Sequence, residues 1–275
     1  MRVGNNPNRA YRADKFEPVI LAVITHLPNE KGYHSERMEV VKTCLTSMTE
    51  HAGMPYSLAI WDNGSCNELR TWIKDTLKPS VFVESVNVGK TTGRTSLMRM
   101  FPPDKIISYC DDDMYFYPNW LKPQIALLQH FPNVACVTGY PVRTSFRWGN
   151  DHTLAWARAN AKVEEGKFIP QTWENDFAES IGRDPEEHRK MTKHDLDRMI
   201  IYRGVKAYAT SHHCQFIGYA GTVGRVLTFD DFAMGDERPF DVALDSIGLR
   251  LATVDRYTRH IGNVIDEKLR EEIGV

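Results

Sequence analysis

The sequence has few cysteines and no pattern among them. Its five, Cys44, Cys66, Cys110, Cys136 and Cys214, are scattered and odd in number. No pair has zinc-ligand spacing, and no disulfide framework is implied. A reducing compartment, the cytoplasm, is therefore the expected location. Charge of one sign is lacking too. The net charge is −2 with histidines neutral, which gives no electrostatic footprint for nucleic acid or an anionic membrane. No apolar run reaches the length of a membrane span, so any membrane contact is expected to be peripheral or through a partner. The opening Met1-Arg2-Val3-Gly4-Asn5-Asn6-Pro7 has no apolar h-region and does not read as a signal peptide. Residues 1–17 are polar and without period, and read as a loose arm. Internal repeats and low-complexity linkers are absent.

What the 275 residues do contain is strand–helix alternation over a length suited to one large domain or two small ones. The continuous apolar run from Val19 to Ile24 predicts a strand buried on both faces, hence a parallel sheet. Ser35 is placed to cap the next helix, whose apolar positions Met38, Val41, Leu45 and Met48 are helically spaced. A second strand, Ser57 to Trp61, runs into the turn Asp62-Asn63-Gly64-Ser65. A short strand near Val81 follows, then a glycine-rich loop, Asn87-Val88-Gly89-Lys90-Thr91-Thr92-Gly93-Arg94-Thr95, entering a helix. The alternation is that of a doubly wound α/β unit and assigns residues 18–143 to one half. From 144 to 205 the pattern changes to a charge-dense segment with Trp148, Trp156 and Trp173. Met191, Leu196, Met199 and Ile200 have roughly helical spacing there, which predicts a helical insert or lid. Residues 206–275 return to the sheet and end in a charged helical tail.

The chain is organised around Tyr109-Cys110-Asp111-Asp112-Asp113-Met114, where a short strand ends. In open α/β sheets ligands bind outside the carboxyl ends of the strands. Three adjacent carboxylates repel one another, and a cation among them relieves that repulsion. Hard oxygen ligands favour Mg²⁺ or Mn²⁺, which fill their shells with substrate phosphates. A metal–diphosphate site is one reading; an acidic solvated turn is the other. If the turn is extended, Asp111 and Asp113 share one side and Asp112 faces away.

Several turns together resemble family 2 glycosyltransferases, which have the GT-A (nucleotide-diphospho-sugar transferase) fold. The shared features are the strand Ile20 to Thr25, the turn Asp62-Asn63-Gly64-Ser65 and the loop Asn87-Val88-Gly89…Gly93-Arg94-Thr95. The DXD-type Asp111-Asp112-Asp113 follows, with Pro118 and Trp120 after it. The late acidic pair Asp236-Glu237, Gly248 and His260-Ile261-Gly262 complete the series. The resemblance covers residues 19–142 and 215–262, and the segment 144–205 matches nothing in it. It implies a mostly parallel central sheet flanked by helices, with the helical insert added. It also implies a metal-dependent, inverting transfer of a sugar from a nucleotide-diphosphate donor, a UDP-sugar first of all. The acceptor would be a hydroxyl of a glycan, a lipid-linked glycan or a protein.

By that resemblance Thr25, Asp62, Asn87, Gly93, Arg94, Asp111 and Asp112 contact the donor, with Asp62 on the nucleobase. Asp111, Asp113 and His260 hold Mn²⁺ or Mg²⁺. The base is Asp236 or Glu237, since the pair here reads Asp-Glu where the family has Glu-Asp, and Asp241 is a third candidate. Each residue also has a plainer role. Asp62 suits a turn, Lys90 competes with Arg94 for the diphosphate, Asp236 and Glu237 suit a helix start, and the tryptophans suit packing. His212-His213-Cys214 lacks a second ligand pair and is a poor zinc signal. The alternatives are a non-catalytic nucleotide- or carbohydrate-binding module of the same fold and a nucleotidyltransferase. The turn Thr25-His26-Leu27-Pro28-Asn29 lacks the glycine-rich basic loop expected of a nucleotidyltransferase.

Overall fold

The structure is a computed structural model that describes residues 15–226 and 236–274. Most of the expected arm, residues 1–14, and the acidic stretch Asp230-Asp231 lie outside the described residues. Strands β1 (Val19–Thr25), β2 (Ser57–Asn63), β3 (Val81–Ser85) and β4 (Ile106–Cys110) alternate with helices α1 (Arg37–Glu50), α2 (Asn67–Trp72) and α3 (Lys90–Arg99). Next come β5 (Met114–Phe116), α4 (Leu121–His130) and β6 (Val134–Thr138). The segment 144–205 holds α5 (Asp151–Asn160), β7 (Lys162–Gly166), α6 (Gln171–Ser180), α7 (Pro185–Met191) and β8 (Asp197–Tyr202). The chain then forms β9 (Val205–Tyr208), β10 (Gln215–Tyr219), α8 (Ala220–Val223), α9 (Arg238–Ile247), β11 (Leu249–Ala252), β12 (Thr258–His260) and α10 (Glu267–Ile273).

One sheet runs β3-β2-β1-β4-β10-β6-β11-β9-β8-β7, and β12 pairs separately with β5. β1 is parallel to β2 and β4, as its uniformly apolar sequence demands. Alternate residues of β1 feed two cores. Leu21 and Val23 pack with Val41, Leu45 and Met48 of α1. Ile20, Ala22 and Ile24 pack with Leu97 and Met98 of α3 and with Phe240 and Leu244 of α9. The sheet is thus mostly parallel and covered on both faces, as expected. Among the described residues no helix is long and apolar enough to cross a membrane.

Two local expectations change. Ser35 does not cap α1: a short 3₁₀ turn, Gly32–His34, precedes it, and α1 starts after Glu36 with no side-chain cap. The 144–205 segment carries its helices but also adds two strands to the sheet edge. Met199 and Ile200, helically spaced in sequence, lie on β8 and pair with Tyr208 and Ala207 of β9. Tertiary pairing overrides a short apolar pattern that could serve either element. A buried ionic cluster fixes this segment to the sheet. Arg143 Nε donates to Asp197 at 2.8 Å, its backbone N–H donates to Glu174 at 2.7 Å, and Glu174 meets His188 at 3.1 Å.

β10 runs antiparallel between β4 and β6. At Gly218 a Cβ would stand 2.5 Å from the Ala135 carbonyl oxygen and 2.6 Å from Val223 Cγ1. Backbone cannot yield there as a flexible side chain could. Gly218→Ala is expected to destabilise the protein by about 1–3 kcal/mol, lowering the thermal midpoint by roughly 2–4 °C per kcal/mol. A calorimetric scan with an unchanged midpoint would contradict this packing.

Candidate active site

β1, β2 and β4 end at one edge of the sheet, and antiparallel β10 begins there, with Gln215 opposite Cys110. A cavity of about 240 Å³ opens at this edge. Thr25, Asn63, Asn87 and Lys90 line it together with Asp111, Asp112 and Asp113. Arg37, His26 and Tyr33 also line it.

Each carboxylate of the acidic turn is held differently. Asp111 accepts from Tyr109 Oη at 2.8 Å and from Lys90 Nζ at 2.8 Å. Asp112 accepts the His26 backbone N–H at 3.0 Å and pairs with Arg37 through a short contact. Asp113 lies 3.3 Å from Arg37 Nη1 and 3.6 Å from His260 Nε2. Its Oδ1 is buried and has no hydrogen-bond partner among the described residues. Burial pushes the Asp112 carboxyl above its ordinary range, against the pull of Arg37. Burial also opposes charge on Asp113, but His260, Arg37 and Lys90 outweigh it and hold that carboxyl low. The two adjacent carboxyls are thus shifted in opposite directions, Asp112 up and Asp113 down.

His260 reaches Asp113 through the small second sheet. β12 pairs with β5 so that His260 faces Met114, and the Ile261 N–H donates to the Asp113 carbonyl at 2.7 Å. Ser180 at the end of α6 lies 2.8 Å from His260 Nδ1 and leaves Nε2 turned to Asp113. Gly262, at φ +81°, lets the chain pass Ser180, where any Cβ would collide with its carbonyl oxygen. An ionised carboxylate with a buried unpartnered oxygen, beside an imidazole oriented through its other nitrogen, fits a divalent cation. Asp113 and His260 are the residues placed to hold it. Asp111 has both oxygens committed to Tyr109 and Lys90.

The other expected donor contacts divide. Asn87 lines the cavity and bonds Asn63 at 2.9 Å, and Thr25 stands at its wall. Asp62 is fully buried and lies under the wall rather than on it. It accepts from Arg70 Nε at 2.8 Å and from the Ser65 N–H at 3.3 Å, and Asn63 is the neighbour that lines the cavity at the end of β2. Gly93 and Arg94 do not line the cavity. Gly93 allows α3 to pack on Ile24 and Trp61, and Arg94 lies against the Phe240 ring at 3.8 Å. The cation facing the cavity from this loop is Lys90. Arg37 and Ser180 were missed; neither sits in a turn or motif that marks it.

The three candidate bases are also separated. Asp236 is half exposed and pairs with Arg238 at 2.5 Å. Glu237 is clamped by Arg94 at 2.5 Å and lies 3.0 Å from Lys90 Nζ. Burial alone would raise its carboxyl, but Lys90, Arg94 and His213 draw it down to about 2. Asp241 is buried between Arg250 Nη2 at 2.6 Å and His213 Nδ1 at 3.0 Å. Among the tryptophans, Trp156 packs on Phe131 and Tyr202, Trp173 lies under Arg256, and Trp148 is 44% exposed with Arg238 over its ring. His212, His213 and Cys214 have ligand atoms within 4.8 Å of one another, but His213 is engaged with Asp241 and His212 accepts the Cys214 N–H.

This arrangement is that of a GT-A fold. Among solved structures the chain is similar to GalNAc-T7, solved with UDP, GalNAc and Mn²⁺, at TM-score 0.52 and 13% identity. That likeness covers 90% of this chain and 44% of the other, so the chain spans less than half the length of that protein. A mannosyltransferase of Pyrobaculum calidifontis, PcManGT, solved with GDP-Man and Mn²⁺, shares 17% identity over 48% of this chain and 39% of its own, at TM-score 0.35. No curated protein matches. The family profile described as Glycosyl transferase family 2 matches residues 33–188, more than half of the sequence, and the chain belongs to that family.

The depressed carboxyl of Glu237 gives a stability test. Its folded value near 2 lies below its ordinary 4.5, so it stabilises the fold above about pH 4.5 and loses this as pH falls towards 2. Glu237→Gln is expected to cost about 3 kcal/mol at pH 7, because Lys90 and Arg94 lose a buried counter-charge. The gap between the two proteins should shrink steadily between pH 4.5 and pH 2 in denaturant titrations. A gap independent of pH would refute the assignment.

Proposed function

We propose that the chain transfers a sugar from a nucleotide-diphosphate donor, a UDP-sugar first of all, to an acceptor hydroxyl. The observation that carries this reading is the cavity at the sheet edge, where ionised Asp113 with its unpartnered oxygen stands beside His260. Family membership supplies the class of reaction. GalNAc-T7, which shares the fold, was solved with UDP and Mn²⁺.

Asp113 and His260 hold the cation, Mn²⁺ or Mg²⁺, which when bound neutralises charge on the departing diphosphate. Lys90 and Arg37 both add fixed positive charge to the lining of the same cavity. Burial opposes charge on Lys90, but Asp111 and Glu237 outweigh it, so it stays protonated at any working pH. Asn63, Asn87 and the Thr25 wall take the nucleoside end, and buried Asp62 fixes the turn that presents Asn63. Inversion follows if the acceptor attacks directly opposite the leaving diphosphate. The acceptor is a glycan, a lipid-linked glycan or a protein. Trp148, the most exposed of the three tryptophans near the insert, is the one we assign to stacking on the apolar face of an acceptor sugar; its exposure supports this.

Thermal unfolding against UDP, GDP, CDP, ADP and TDP, each with and without Mn²⁺, tests the reading. A native-state ligand at 100 times its dissociation constant adds about 2.7 kcal/mol, a shift of several degrees at this size. One nucleotide should shift the midpoint in a Mn²⁺-dependent manner, and Asp113→Ala should abolish the shift. Ser180→Ala, which frees His260 Nδ1, should weaken Mn²⁺ binding by about 10–100-fold. No shift with any nucleotide in folded protein would sink the proposal.

A further inference from the structure

The geometry points to His213, aligned by Asp241, as the group that takes the proton from the acceptor hydroxyl. This rests on the transferase reading above and adds the residue that the late acidic motif leaves unsettled. Of the carboxylates in that motif, Asp236 is tied to Arg238 at the surface and Glu237 is neutralised by two cations. A carboxyl held near 2 is a weak base, since a useful one is tuned towards the working pH. Asp241 has both oxygens occupied, one by Arg250 and one by His213.

Among the described residues that meet the late acidic motif, His213 has a nitrogen to offer. It stands just before β10, whose antiparallel course brings its first residues to the edge where β4 ends. The next residue, Cys214, accepts the Asp111 N–H at 2.8 Å through its carbonyl, so His213 lies beside the acidic turn. Its Nδ1–H faces Asp241 Oδ2 at 3.0 Å. With Nδ1 protonated, Nε2 carries the lone pair, and no hydrogen bond occupies Nε2 among the described residues. The side chain is 24% exposed, so an acceptor can reach it.

The support behind the pair is rigid. Arg250, fully buried, holds Asp241 and donates to the carbonyls of Ser211 at 2.8 Å, Trp148 at 3.0 Å and Gly149 at 2.5 Å. The ring of His212 lies 4.5 Å from that of His213 at 36°. Burial and the surrounding His213, His260 and Arg250 push the His212 imidazole well below its ordinary value, so it stays neutral and adds no competing charge.

In the step, the acceptor oxygen forms its bond to the anomeric carbon while its proton passes to His213 Nε2. The bond from that carbon to the donor phosphate oxygen breaks, and the nucleoside diphosphate leaves with the electron pair. Asp241 stabilises the imidazolium and remains ionised; it is a positioning residue.

The test uses UDP-glucose, UDP-GalNAc and GDP-mannose with Mn²⁺, water as acceptor, and release of nucleoside diphosphate as the readout. His213→Gln is expected to lower kcat by about 10²–10⁴-fold, with donor KM and the nucleotide-induced thermal shift changed by less than about twofold. His213→Gly should regain rate with added imidazole, which a merely structural role would not produce. Asp241→Asn should lower kcat in the same sense. A kcat for His213→Gln within about threefold of the unaltered protein overturns the assignment while leaving the donor site standing. So does a His213→Gly protein that binds nucleotide but ignores imidazole. Absence of nucleotide binding and of release in the unaltered protein defeats the transferase reading itself, and this assignment with it.

Discussion

Three carboxylates in a row at the end of a buried strand set the constraint on which the rest of this edge depends. Left in a low-dielectric wall they would repel one another strongly. The fold answers with two fixed cations and an imidazole. Lys90 at the start of α3 pairs with Asp111, Arg37 at the start of α1 pairs with both Asp112 and Asp113, and His260 at the end of β12 stands by Asp113. These come from three different elements, so the ends of α1, α3 and β12 are fixed with respect to β4. The neutralisation is incomplete at Asp113, whose Oδ1 is buried without a hydrogen bond among the described residues. That residual demand falls at the floor of the cavity, where a cation and a diphosphate can meet it.

Much of this was legible because its signals are local. The run Val19 to Ile24 is apolar at every position, which fits a strand covered on both faces. The acidic turn follows a short apolar strand, so its place at the carboxyl edge follows from topology. Strand alternation did not carry through the turn: residues 112–113 are a turn, and Asp112 lines the same cavity as Asp111 and Asp113 instead of facing away. His260 was legible through the order of motifs, although its partner Ser180 was not. Ser180 belongs to the inserted segment and meets His260 across 80 positions of sequence.

The illegible parts share a physical cause: they depend on long-range pairing. Arg37 is an ordinary helix-start residue until α1 is docked against β1. Arg94 looked suited to phosphate, but the guanidinium is drawn under Phe240 and onto Glu237, leaving the compact ammonium of Lys90 at the cavity. Asn63 lines the cavity and Asp62 does not, since Arg70, one turn into α2, reaches back to the buried carboxylate. Met199 and Ile200 joined a strand because β9 offered backbone partners that outweigh a four-residue helical pattern.

The direction of β10 is the least predictable feature and has the largest consequence for chemistry. A parallel strand in that place would have put its carboxyl end, near Tyr219, at the site. The antiparallel course brings His212, His213 and Cys214 there instead. The same reversal places them against α9 and β11, so that Arg250 can fix Asp241 and Asp241 can fix His213. Glu237, one turn before Asp241 on the chain, pairs instead with Lys90 and Arg94. The start of α9 therefore carries two carboxylates with different partners. One pairs with two buried cations beside the cavity, and the other pairs with Arg250 and the His213 imidazole. Two acids four residues apart acquire different work because burial and partners, rather than their order in the sequence, decide which charge each one serves.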